Sequence, residues 1–81
     1  MAVQIVAIQM DDRNHHAPRL QEVLTSHGCN IKVRLGVPDM CDGKGLILLV
    51  VEGEEGDREA LLSEIRGVPS ARVSSIDLPP Y

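Results

Sequence analysis

Residues 46–51, LILLVV, are apolar at every position. That run constrains the fold more than any other stretch. Successive side chains of a strand point to opposite faces, so a strand of this composition is apolar on both. A small sheet wets one face unless something covers it. In a chain of 81 residues, what covers the second face is the main question the sequence poses.

The chain has the length of a single small domain, residues 1–81. Such a domain buries only about 60% of its unfolded surface, so its core is marginal when alone. There is no Phe or Trp, and Tyr81 is the single aromatic residue. The core must therefore come from Ile, Leu, Val, Ala and Met, and added burial through self-association is favoured. With 12 acidic and 8 basic side chains the net charge is −4. This is no basic footprint for nucleic acid, and no aromatic platform is present for single strands. The apolar start, MAVQIVAIQM, is too short for a bilayer span and lacks a basic flank. The expectation is a cytoplasmic protein with no membrane partner and no direct nucleic-acid contact. Cys29 and Cys41 form no CxxC pair and are expected to be reduced.

Residues 2–10 read as a strand rich in β-branched residues. Asp12 or Asn14 is placed to cap a helix, with Pro18 in its first turn, Ala17, Leu20, Val23 and Leu24 at helical spacing, and Gly28 as its stop. Residues 30–36 alternate, with Ile31, Val33 and Leu35 on one side and Lys32 and Arg34 on the other. A loop over 37–44 leads to a strand over 45–52. Asp57 is placed to cap a second helix with Leu61, Leu62 and Ile65 inward, ended by Gly67, Val68 and Pro69. Residues 70–78 form the last strand, followed by the tail PPY.

The order β-α-β-β-α-β predicts an α+β ferredoxin-like sandwich, a four-stranded antiparallel sheet in order 4-1-3-2 with both helices on one face. The first and third strands, apolar on both faces, take the centre. The charged second and fourth strands take the edges, where Lys32, Arg34 and Arg72 discourage uncontrolled pairing. The uncovered face must then hold Leu46, Leu48 and Val50 or Ile47, Leu49 and Val51 from the third strand. From the first it holds Val3, Ile5 and Ala7 or Val6, Ile8 and Met10. Alternation by itself selects neither set. The expected interface is Val6, Ile8, Leu46, Leu48 and Val50, covered by another copy in a homodimer or a higher even oligomer.

Three stretches carry a resemblance over nearly the whole chain: RLGVP at 34–38, LILLVVEG at 46–53 and IRGVPSARV at 65–73. The chain resembles the small ACT-like family of iron-only hydrogenase system regulators. More distantly it is similar to the C-terminal sensor domain of the nickel-responsive transcription repressor, which has the same element order and assembles through its sheets. The resemblance implies regulation by ligand or protein contact rather than catalysis. No ribbon-helix-helix DNA-binding domain is expected ahead of a first strand that starts at Ala2 or Val3.

ACT-like domains bind small ligands, such as amino acids, near the loop after the first strand and at the subunit interface. The resemblance therefore points to Asp11, Asp12, Arg13 and Asn14 at the start of the first helix, Arg34 as a counter-charge, and Gly36 and Pro38 at the end of the second strand. Each also has a plainer reading as cap, solvated charge or strand terminator. The Gly-rich turn of amino-acid-binding ACT domains is missing after the first strand. The alternative effector is a nickel or zinc ion held by His15, His16 and Cys41, since Cys41 falls near the place of a cysteine ligand in the nickel sensor. Against it, Lys32 and Arg34 stand where that sensor has histidines, and adjacent histidines on a helix point about 100° apart. A protein-binding adaptor is a third reading. No nucleophile-base spacing or carboxylate pair supports an enzyme, and no cofactor is expected.

Overall fold

The computed structural model describes residues 2–11, 13–37 and 44–79, with 13–15 described by backbone alone. The elements are β1 (Ala2–Met10), α1 (Arg13–Ser26), β2 (Ile31–Val37), β3 (Gly45–Gly53), α2 (Glu55–Arg66) and β4 (Ala71–Leu78). The strands form one antiparallel sheet in the order β2-β3-β1-β4, the expected 4-1-3-2 order read from the other edge.

The two helices lie on one face of this sheet. Leu20, Val23 and Leu24 of α1 and Leu61, Leu62 and Ile65 of α2 join one buried cluster with Val6, Ile8 and Met10 of β1 and Leu49 and Val51 of β3. Helical spacing alone identifies the helical members. Cross-strand register fixes the rest: Val6 faces Leu49 and Ile8 faces Ile47 on the helix side. Ile5 faces Val50 and Ala7 faces Leu48 on the other.

This corrects the expected interface. Val6 and Ile8 are fully buried beneath the helices. The first-strand set on the uncovered face is Val3, Ile5 and Ala7, beside the expected Leu46, Leu48 and Val50 of β3. The sequence misleads here because β1 carries one glutamine on each face. Gln4 is on the helix side, buried with its Oε1 unpartnered, whereas Gln9 is exposed on the other.

A second correction concerns β2. Its register shifts between Ile31 and Val33, as a β-bulge does. Ile31 consequently packs against the core, whereas Val33 and Leu35 turn to the uncovered face at 53% and 54% exposure. The helix starts differ as well. Pro18 sits in the second turn of α1, where it removes one intrahelical hydrogen bond. Asn14 lies inside that helix rather than capping it. The N-cap of α2 is Glu54, with no side-chain cap bond, and Asp57 stands in the first turn near the positive end of the helix dipole.

At the far end of β3 the Asn30 side-chain amide donates to the Glu52 carbonyl at 3.1 Å, and the Glu52 N–H donates to the Asn30 carbonyl at 2.9 Å. Gly53 follows with φ 153°, and a Cβ there would collide with the Asn30 amide. Gly53→Ala is expected to cost more than about 1 kcal/mol. In a domain of this size that lowers the thermal midpoint by about 5 °C or more, readable by calorimetry.

Candidate functional site

Two regions carry the functional candidates: the end of the sheet where β1 leaves and β3 and β4 enter, and the uncovered sheet face. At the first, Asp11 follows β1 directly. Its N–H donates to the Ser70 carbonyl at 3.3 Å, its Oδ2 accepts from Arg72 Nε at 3.1 Å, and its Oδ1 lies 3.7 Å from Lys44 Nζ. The carboxylate ties together the entries of β3 and β4. Its negative charge, which would oppose an anion at the start of α1, is thus compensated by two cations.

Arg34 and Gly36 are not part of this cluster. They line one wall of a cleft of about 350 Å³ between α1 and the β2–β3 side of the sheet. Helix α1 contributes Ala17, Leu20 and Gln21, β1 contributes Met10, and β3 contributes Gly45, Leu46 and Ile47. Arg34, Gly36 and Val37 of β2 complete it. Among the described residues no carboxylate pairs with Arg34. Sequence reasoning singled out Arg34 and Gly36 but missed Gln21, Met10 and Ile47. The one available signal was Gly36 itself, because a glycine inside a strand often marks a close approach or a gap.

Of the other candidates, Asp12, Pro38 and Cys41 lie outside the described residues, as do the side chains of Arg13, Asn14 and His15. His16 is partly buried in the first turn of α1. Among the described residues no group of three or more His, Cys, Asp or Glu side chains is placed to hold a metal ion. Cys29 is an exposed free thiol beyond the end of α1, where Lys32 Nζ reaches its carbonyl at 3.5 Å. The sequence also gave no hint of His27, whose Nε2 lies 2.6 Å from Glu64 Oε2 and pins α1 to α2. Those residues are too far apart in the chain for any periodicity to pair them.

The second region is the uncovered face. Its centre is apolar on three strands, with Val33 and Leu35 of β2, Leu48 and Val50 of β3, and Ile5 and Ala7 of β1, whereas on β4 Ile76 stands next to Ser74. Polar side chains stand mainly at its ends, Gln9 and Arg72 at one and Glu52 at the other. Among the described residues all the large exposed hydrophobic side chains lie on this face: Val33, Leu35, Ile76 at 64% and Leu78 at 39%. Four strands about 5 Å apart and about 24 Å long give on the order of 450 Å². That lies in the middle of the range, about 300–600 Å², for the largest patch of an ordinary monomer. Two such faces together would bury about 900 Å², the size of a small protein interface.

Residues 2–73 match the family model "TM1266-like: Iron-only hydrogenase system regulator, putative". The chain belongs to this family. Its fold is that of the uncharacterized protein TM1266 from Thermotoga maritima, with a TM-score of 0.88 and 23% identity over 95% of this chain and 96% of that one. The same fold recurs inside larger proteins. A formyltetrahydrofolate deformylase from Pseudomonas putida KT2440 gives a TM-score of 0.61 at 12% identity, over 95% of this chain and 29% of that enzyme. LarC2, the C-terminal domain of a cyclometallase involved in the synthesis of the NPN cofactor of lactate racemase, gives 0.53 at 17% identity, over 98% and 57%. These likenesses establish the fold alone. Among curated proteins none matches the chain significantly. The family's description is that of a putative regulator, and no helix among the described residues is long and apolar enough to cross a membrane.

Proposed function

We propose that the chain is a non-catalytic regulatory domain of the cytoplasm. It acts as a homo-oligomer and responds to a small effector or a protein partner at the interface between copies. The observation that carries this reading is the uncovered sheet face, largely apolar in a chain whose other face already holds both helices. Covering it with a second copy removes several kcal/mol of unfavourable hydration per copy before association costs. The family description as a regulator supports a role in control over one in catalysis. Any action on transcription would pass through a partner, because a chain of net charge −4 has little affinity for phosphates.

Native mass spectrometry of untagged, freshly purified protein tests this. The expected species is a dimer or a higher even oligomer of the 8.8 kDa chain, with additional mass from a retained organic effector. A clean monomer at micromolar concentration would contradict the oligomeric reading and favour an adaptor that offers its sheet face to another protein.

A further inference from the structure

We propose that the cleft between α1 and the β2–β3 side of the sheet binds a small monocarboxylate with a branched aliphatic tail, its carboxylate on Arg34 and its tail in the space over Gly36. This rests on the reading of the chain as an effector-binding domain and names the site and the ligand class. The volume of about 350 Å³ lies at the lower end of small-molecule pockets. The walls are Met10, Ala17, Leu20 and Ile47, which suit an aliphatic body.

Gly36 is the feature the fold does not explain. A Cβ placed on it meets nothing within 4 Å, and its backbone is not in the left-handed region that favours glycine. Neither crowding nor dihedral angle calls for glycine there, and a glycine inside a strand weakens it. What the missing side chain leaves is the space of the cleft.

Charge narrows the class. Among the described residues Arg34 is the one ionised side chain in the lining, and none of them pairs with it. A guanidinium matches a carboxylate through two parallel hydrogen bonds. One positive charge balances a monoanion, whereas a phosphate dianion against these apolar walls would be left half-compensated. Among the described residues no acidic side chain lines the cleft to receive an ammonium group, so a simple carboxylic acid is favoured over an α-amino acid.

The test is a titration of the ¹⁵N-labelled chain with 4-methylpentanoate, followed by amide shifts. Saturable shifts are expected at Gln21, Arg34 and Gly36. Leucine, which has the same skeleton plus an ammonium group, and 4-methylpentanamide, which lacks the charge, are each expected to bind about tenfold more weakly or worse. Arg34→Gln is expected to weaken binding by a similar factor. Gly36→Val, a substitution that suits an exposed strand, is expected to fill the cleft and abolish the shifts with the spectrum otherwise intact. The absence of saturable shifts up to about 20 mM, the weak limit for a ligand this small, overturns the proposal. So does equal binding by leucine, or unchanged binding in the Arg34→Gln and Gly36→Val variants. Shifts at these residues in a protein that is monomeric by mass uphold the cleft and remove only the assembly reading. An even oligomer without shifts removes only the cleft.

Discussion

Ile5→Lys is expected to leave the domain folded and break its assembly, whereas Val6→Lys, one residue further along the same strand, is expected to prevent folding. The two side chains leave β1 on opposite faces. Val6 faces Leu49 inside the helix-covered core at 0% exposure, while Ile5 faces Val50 and Ile76 on the uncovered face. A lysine at position 6 would put an unpaired ammonium beneath both helices. Losing or stranding a buried charge costs several kcal/mol. The whole domain holds only about 4–12 kcal/mol at the usual stability per residue. At position 5 the lysine stem can lie along the apolar face with its head in water, so the monomer tolerates it. In a face-to-face dimer it would carry one unpaired charge per copy into the contact. The dissociation constant is expected to rise by about a thousandfold or more. Circular dichroism and sedimentation velocity read the two effects separately. An unfolded Ile5→Lys beside a folded Val6→Lys would reverse the assignment of faces. An Ile5→Lys protein of unchanged mass would place the assembly elsewhere.

Leu61→Ala is expected to lower stability by about 2–5 kcal/mol, because it empties a fully buried site in α2. With about 4–8 °C per kcal/mol for a domain of this size, the thermal midpoint falls by 10 °C or considerably more. The loss should depend on protein concentration. Association that occurs only in the folded state adds stability by mass action, so a weakened core leans more heavily on it. The variant's midpoint is expected to rise clearly with concentration. A midpoint that is low and independent of concentration over a hundredfold range would indicate a domain whose fold does not draw on assembly.

Element order and sheet order were legible because they rest on strong periodic signals: the helical spacing of Leu20, Val23 and Leu24, the apolar run of β3, and turn residues between them. Faces were harder to read. On β3 both parities are apolar, and on β1 Gln4 and Gln9 mark opposite sides, so local pattern contains no vote for either. The decision comes from the helices, whose apolar stripes need a complementary surface, and from Gln4 being tolerated in the core with an unpartnered oxygen. The bulge at the start of β2 was equally hidden, since IKVRL alternates cleanly and its shift is set by pairing with β3. At the candidate site, Arg34 and Gly36 stand out in the sequence by residue type. Their neighbours Met10, Gln21 and Ile47 come from three other elements, and only the tertiary fold brings them together. Asp11, whose sequence position suggests a ligand contact, also forms ion pairs with Arg72 and Lys44 that only the tertiary fold reveals.

The central claim is that a second copy covers the sheet face lined by Ile5, Leu48 and Val50. The most direct measurement is an isotope-filtered NOE experiment on a sample mixed from labelled and unlabelled chains. Intermolecular contacts are expected among the methyl groups of Ile5, Val33, Leu35, Leu48, Val50 and Ile76, with none from Val6, Ile8 or Leu61. Intermolecular contacts confined to the helices, or none at concentrations where the protein is oligomeric by mass, would contradict it.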